Sequence, residues 1–316
     1  MLNLNNLSKI AVLLAFFFLG CKEFIEPSIA KKNIVPLSPA DGTEGSKYSQ
    51  TFWWEEVEDA LKYRLQVVTP DFNRPERLIL DTVIERNKFN YTLDPGKYEW
   101  RVRAENGSSY TPYGKASFVI YPTSIKIQQV QLESPANNTL TNQSSTLFKW
   151  LKLFGADKYR LQIDTNNFAD ETSLFVDKTV PNLELLIPLT KDKLYQWRVK
   201  AKNDTAESKW SAVYNLTLDR IPPAAVLLNT PLNNAMVDHP AKLNWAVTAT
   251  AKKYLLYVYE SSGNVAYNGK YPLTLTTNSY TFSEGIRGEK VFWEVSAVDE
   301  VGNVGARSEK RSFTIQ

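Results

Sequence analysis

The chain has 316 residues, 43% of them hydrophobic and 22% charged, with a net charge of +3. That composition excludes a disordered chain and leaves room for two or three domains. The small charge, with no run of Lys and Arg, gives no electrostatic footprint for nucleic acid, so no nucleic-acid partner is expected.

The first twenty residues, MLNLNNLSKIAVLLAFFFLG, have a polar start with Lys9 and then an apolar run over 10–20. At about 1.5 Å per residue that run falls short of a hydrocarbon core of roughly 30 Å. Residues 1–20 are therefore read as a secretory signal and not as a stable transmembrane helix. Cys21 follows and is the only cysteine, so no internal disulfide forms. The sequence FLGC, ending at Cys21, resembles the lipobox of bacterial lipoproteins. That resemblance implies lipidation of Cys21 and a membrane partner through an N-terminal lipid. Lys22 stands where some Gram-negative lipoproteins carry an inner-membrane retention Asp, which favours the outer membrane. A cleaved signal peptide with an incidental cysteine is the competing reading. Residues 21–33 are polar with Pro27 and are expected to be a tether, reaching roughly 40 Å at about 3.5 Å per residue.

Beyond residue 33 the chain repeats. Trp54, Tyr63, Leu65 and Val67 recur at the same offsets as Trp150, Tyr159, Leu161 and Ile163, and as Trp245, Tyr254, Leu256 and Val258. A second block follows each: YEWRVRA around Trp100, YQWRVKA around Trp197 and FWEVSA around Trp293. A proline with a turn cluster opens each unit, at Pro39, Pro135 and Pro231. The repeat removes a tempting helix in FWWEEVEDALKYRLQV. Its helical stripe uses Val57 and Leu61, but the matching positions include Asp157 and Lys252, which cannot face a core. Trp54 is expected to end one strand, 55–61 to form a loop and Tyr63 to begin the next.

Three units of about seven short strands without a disulfide indicate all-β sandwiches. The residues Trp54, Trp150 and Trp245, with Tyr98-Glu-Trp100-Arg-Val102-Arg-Ala104 and Tyr195-Gln-Trp197-Arg-Val199-Lys-Ala201, resemble the fibronectin type III pattern. The resemblance implies three tandem immunoglobulin-like sandwiches at 34–121, 129–218 and 225–316. It implies a core of Trp54, Tyr63, Tyr98, Trp100, Trp150, Tyr159, Tyr195, Trp197, Trp245, Tyr254 and Trp293. It also implies a corner in which Tyr98 bonds back across LDPGKY; Val291 removes that corner from the third unit. The joints at 121–128 and 219–224 hold prolines and no glycine, which predicts stiffness. An elongated, semi-rigid rod on the order of 100 Å follows if strands of 8–10 residues run lengthwise.

Catalytic chemistry is nearly absent from the sequence. His239 is the only histidine, in a turn, and a His/Cys zinc site is excluded by count. No cofactor or metal is expected. The acidic loop of Glu55, Glu56, Glu58 and Asp59 is not repeated in the other units and is read as solvated. The turn DEVGN, 299–303, is open to two readings, a hairpin turn and a calcium loop.

Binding faces are more plausible than catalysis. Arg64, Arg101 and Arg103 are expected to point outward in the first unit, forming with Gln66 a basic face for acidic glycans or lipid phosphates, or a merely solvated one. The matching face of the third unit, Leu255, Tyr257 and Tyr259, is expected to be an exposed apolar patch. Tyr110 and Tyr113, in the last loop of the first unit, are candidate contacts, with inward packing as the alternative. Trp53 stands where Lys149 and Asn244 stand in the other units, so it either seals an edge or makes a contact. The expected function is a non-enzymatic, lipid-anchored surface protein for binding, adhesion or spacing, with an unknown protein or glycan ligand. The alternative is a surface glycan-binding lipoprotein of a polysaccharide-uptake system.

Overall fold

The computed structural model describes residues 26–316; the signal segment and Cys21 lie outside the described residues. The first repeat contains β1 (Pro36–Ser38), β2 (Thr43–Gly45), β3 (Ser49–Trp54), β4 (Lys62–Thr69), β5 (Arg77–Ile84), β6 (Lys88–Thr92), β7 (Gly96–Glu105) and β8 (Gly114–Ile120). The second contains β9 (Leu132–Ser134), β10 (Thr139–Thr141), β11 (Ser145–Trp150), β12 (Lys158–Asp164), β13 (Val176–Val180), β14 (Glu184–Pro188), β15 (Leu194–Lys202) and β16 (Tyr214–Leu218). The third contains β17 (Leu228–Thr230), β18 (Ala235–Val237), β19 (Ala241–Trp245), β20 (Lys253–Tyr259), β21 (Leu273–Leu275), β22 (Ser279–Phe282), β23 (Lys290–Val298) and β24 (Arg311–Ile315).

Each repeat closes as a small sheet against a larger one. In the first, β1-β3-β6 faces β2-β8-β7-β4-β5, and the other two repeat this order strand for strand. All pairings are antiparallel except those of β2 with β8, β10 with β16 and β18 with β24. The chain is thus three tandem fibronectin type III-like sandwiches. Period-2 alternation drives it: Tyr63, Leu65 and Val67 on β4 and Trp100, Val102 and Ala104 on β7 all turn inward and are buried. Trp54 packs against Tyr63 and Trp100 at ring distances of 5.4 and 6.4 Å. Trp245 does the same with Tyr254 and Trp293, at 5.6 and 6.4 Å. The eleven aromatics expected in the core are all buried.

The repeated tyrosine of β4, β12 and β20 also explains the loop after the tryptophan. Tyr63, Tyr159 and Tyr254 each use their hydroxyl to accept from a loop amide, of Val57, Leu153 and Thr248, at 3.1, 3.0 and 3.2 Å. Val57 and Leu153 are buried beneath that loop, so their apolar character reflects a loop anchor and not a helical stripe.

The expected corner is present twice: Tyr98 donates to the Asp94 carbonyl and Tyr195 to that of Lys191, both at 2.9 Å. In the third sandwich the Glu289 carboxylate takes over the task, accepting from the Ile286 amide at 3.0 Å and the Tyr267 hydroxyl at 3.3 Å.

Two compact units result, divided between Gln128 and Gln129. In the first unit, residues 121–128 fold onto the sandwich. Gln128, buried, accepts from the Tyr48 amide and donates to the Ser46 carbonyl at 3.0 and 2.7 Å. Residues 26–33, expected as free tether, are likewise docked. Ile29 is fully buried, its amide donates to Ser109 Oγ at 2.8 Å, and Asn106 Nδ2 donates to the Pro27 carbonyl at 2.9 Å. Lys32 reaches Asp59 at 2.9 Å and Glu58 at 3.2 Å. A tether reading of these residues from polarity alone overlooks the one apolar side chain that has somewhere to go.

The second unit holds the second and third sandwiches together. Asn142 Nδ2 donates to the Val301 carbonyl, and Asn303 Nδ2 to that of Asp219, both at 3.0 Å. At Gly305 a Cβ would sit 2.5 Å from the Pro223 carbonyl oxygen, so the joint passes where only glycine fits.

Candidate functional site

The outer face of the large sheet carries most of the residues expected to make contacts. In the first sandwich Arg101 and Arg103 project from β7, beside Gln66 and Arg64 on β4. The guanidinium of Arg101 lies between the rings of Phe72 and Tyr113, at 4.1 and 4.3 Å. That of Arg103 lies between Tyr110 and Tyr113, at 4.4 and 5.1 Å. Sequence reasoning proposed Arg101, Arg103, Tyr110 and Tyr113 separately; the structure joins them, with Phe72, into one alternating stack. Gln66 accepts from Arg101 at 2.8 Å, and Arg64 is paired with Asp81 at 2.9 Å and Glu105 at 3.3 Å.

The second sandwich builds the same stack. Arg198 lies between Phe168 and Trp210, at 4.1 and 4.2 Å, and Lys200 covers Trp210 at 4.6 Å. Glu207 takes Lys200 and Lys202 together, and these two cations hold its carboxyl down at about 2. The backbone that carries Trp210 is fixed from below. Ser208 and Ser211 accept from the amides of Ala201 and Val199 at 2.9 and 3.0 Å.

In the third sandwich the stack is inverted. Register places Glu294 where Arg101 and Arg198 stand, and Tyr257 where Gln66 and Gln162 stand. Arg307 stands before the serine that caps the Val295 amide, as Trp210 stands before Ser211. Arg307 covers Tyr257 at 4.1 Å and Lys310 covers Tyr259 at 4.4 Å. Cation and aromatic have exchanged strands, and the stacking persists.

Two expectations need correction. On the basic face of the first two sandwiches Arg64, Arg103, Arg160 and Lys200 are paired in place with Asp81, Glu105, Asp177 and Glu207, while Arg101 is held by Gln66 and two rings. The apolar patch of the third is not open: Leu255 and Tyr257 are half-buried and Tyr259 is buried. The Tyr259 hydroxyl meets Glu294, which also pairs with Arg307 at 2.7 Å. Burial and the Glu294 carboxylate push the Tyr259 phenol up to about 12. Alternation along β20 identified the outward side chains but could not show that the segment before β24 supplies cations to cover them.

Trp53 lies elsewhere. It sits on β3 of the small sheet, 44% exposed, with Lys88 of β6 at 5.7 Å from its ring. His239 is exposed, and its Nε2 meets the Ser283 carbonyl at 3.1 Å. In the turn 299–303, Asp299 accepts from the amides of Val301 and Asn303 and from Asn303 Nδ2, at 3.0, 2.8 and 2.9 Å. Its carboxylate builds the turn that grips the joint. Among the described residues no three His, Cys, Asp or Glu side chains are grouped to hold a metal.

These sandwiches are similar to fibronectin type III domains. The FN1–FN3 domains of chicken CNTN1 align over 90% of this chain and 100% of their own, at 14% identity and a TM-score of 0.37. The fibronectin(III)-like modules of Clostridium thermocellum CbhA align over 59% of this chain and 92% of theirs, at 14% identity and a TM-score of 0.35. No protein-family model and no curated protein sequence matches the chain. The fold assignment rests on strand order and register.

Sequence reasoning missed Phe72, Phe168, Trp210 and Arg307. Trp210 had a readable signal: SKWS, 208–211, stands at the same place before the last strand as TPYG, 111–114. The other rings approach from loops whose paths the strand pattern does not fix.

Proposed function

We propose that this chain is a lipid-anchored envelope protein of a Gram-negative bacterium, fastened to the outer membrane through Cys21, whose sandwiches space and present a surface without catalysis. The observation that supports the spacing role is the closure of the sheet faces on themselves. Arginines that would meet an acidic ligand are sandwiched by the chain's own rings and carboxylates. Fibronectin type III-like folds carry many roles, so these side chains, and not the fold, point to spacing. The glycan alternative asks for two open, coplanar rings. Tyr110 and Tyr113 instead flank Arg103, and Tyr259 is buried.

Replacing Cys21 with Ser is expected to move the protein from the membrane to the soluble fraction. A Cys21→Ser form that stays with membranes would sink the anchor. Residues 22–316 are expected to be silent on an array of acidic and neutral glycans; a specific signal lost in Arg101→Ala would overturn the spacing role.

A further inference from the structure

The docked segment 26–34 brings the proposed anchor close to one end of the first sandwich. Glu26, Pro27 and Ile29 are tied to the turn Asn106–Ser109 by Gly107, Asn106 and Ser109. Only residues 22–25 then separate the docked chain from Cys21. At about 3.5 Å per residue, Cys21 lies within roughly 17 Å of Glu26, not the roughly 40 Å of a free tether.

That end of the sandwich carries exposed apolar and aromatic side chains. The loop 55–61, the turn 106–109 and the turn 85–87 all gather where β3 and β7 end and β4 begins. Around that end Tyr110, on the outer face of the large sheet, Leu61, in the loop, and Trp53, on the outer face of the small sheet, are 60%, 59% and 44% exposed. Around it Glu55, Glu56 and Glu85 stand against Lys62, Arg86 and Lys88, and Glu26, Glu58 and Asp59 against Lys31 and Lys32, which leaves one carboxylate in excess. Amphipathic Trp and Tyr side chains partition to the headgroup level of a bilayer, one edge apolar and the other wet.

We propose that this end of the first sandwich, through Trp53, Leu61 and Tyr110, rests on the lipid headgroups. The proposal rests on the reading of Cys21 as lipidated. It gives Trp53 a role that its polar counterparts Lys149 and Asn244 do not need, because only the first sandwich follows the anchor. With one carboxylate in excess and no surplus of cations, the occupant is a zwitterionic lipid surface, held by aromatic side chains at short range and not by attraction to anionic lipid.

The test uses the acylated full chain bound to phosphatidylcholine vesicles that contain headgroup spin-labelled lipid. A fluorophore is placed on Ser108→Cys at the proposed contact, or on Lys47→Cys at the opposite end of the same sandwich. Quenching at 108 is expected to exceed that at 47 by about threefold or more, given the short depth of the interface. Adding Trp53→Ala with Tyr110→Ala is expected to remove most of that excess while the protein still floats with the vesicles. Equal quenching at both positions, or an excess that survives the double replacement, overturns the proposal. Failure of the anchor itself looks different: the parent chain would then take up label on Cys21 and remain in the aqueous fraction.

Discussion

If the stacks hold the sheet face together, Arg198 and Trp210 must be energetically coupled. Trp210 meets Arg198 at 4.2 Å and Lys200 at 4.6 Å, and both cations have less than a fifth of their side chains exposed. Each contact is worth about 0.5–1 kcal/mol, so Trp210→Ala loses about 1–2 kcal/mol of stacking. Removing the apolar area of a half-buried indole adds about 1 kcal/mol, for a total of about 2–3 kcal/mol. Arg198→Met also loses the bonds to Gln162 and Glu171, so single replacements cannot isolate the stack. A double-mutant cycle can, because the bonds to Gln162 and Glu171 cancel. The coupling is expected to be about 0.5–1 kcal/mol, read from urea unfolding of residues 22–316 followed by tryptophan fluorescence. A coupling within about 0.3 kcal/mol of zero would show that the stack does not hold the sheet face and leave Trp210 free for a ligand.

Other consequences are as direct. Tyr259 has a folded pKa raised to about 12, above its value in the unfolded chain, so its contribution is complete below about pH 10 and is lost as pH rises toward 12. Alkaline unfolding should show that loss, and Tyr259→Phe should remove this pH dependence. Glu207 runs the other way: its carboxyl is lowered to about 2, so its contribution is complete above about pH 4.5 and is lost as pH falls toward 2. Glu207→Gln should flatten the stability profile over pH 2–5. Gly305→Ala drives a Cβ to 2.5 Å from the Pro223 carbonyl oxygen and should destabilise by about 1–3 kcal/mol, with faster amide exchange around Asn303. Tyr195→Phe removes the corner bond to Lys191 and should cost about 0.5–1.5 kcal/mol; an unchanged midpoint would show the corner to be dispensable.

The fold was legible because it rests on period and repetition. Trp54, Trp150 and Trp245 mark equivalent positions, and polar residues at 157 and 252 eliminate the helix that one copy alone would have allowed. The candidate site was only half legible. Outward positions such as Arg101 and Arg103 follow from alternation, but their partners Phe72, Tyr110 and Tyr113 arrive from loops. The inversion in the third sandwich shows the limit. An Arg-to-Glu change on the seventh strand reads as loss of a basic face, until Arg307 is seen to return the cation from the other side. Docking of residues 26–33 was hidden because it depends on one buried side chain, Ile29, and on the turn that receives it.

The parallel pairing near the two ends of every sandwich has a mechanical consequence. Thr43–Gly45 pairs with Phe118–Ile120, Thr139–Thr141 with Leu216–Leu218, and Ala235–Val237 with Phe313–Ile315. Tension along the chain draws such a second and last strand in opposite directions along their shared axis. The bonds between them are loaded together, in shear, and not opened one after another like a zip. A chain held at one end by a lipid and at the other by whatever it touches would then meet force with its ladders side by side, three times in series.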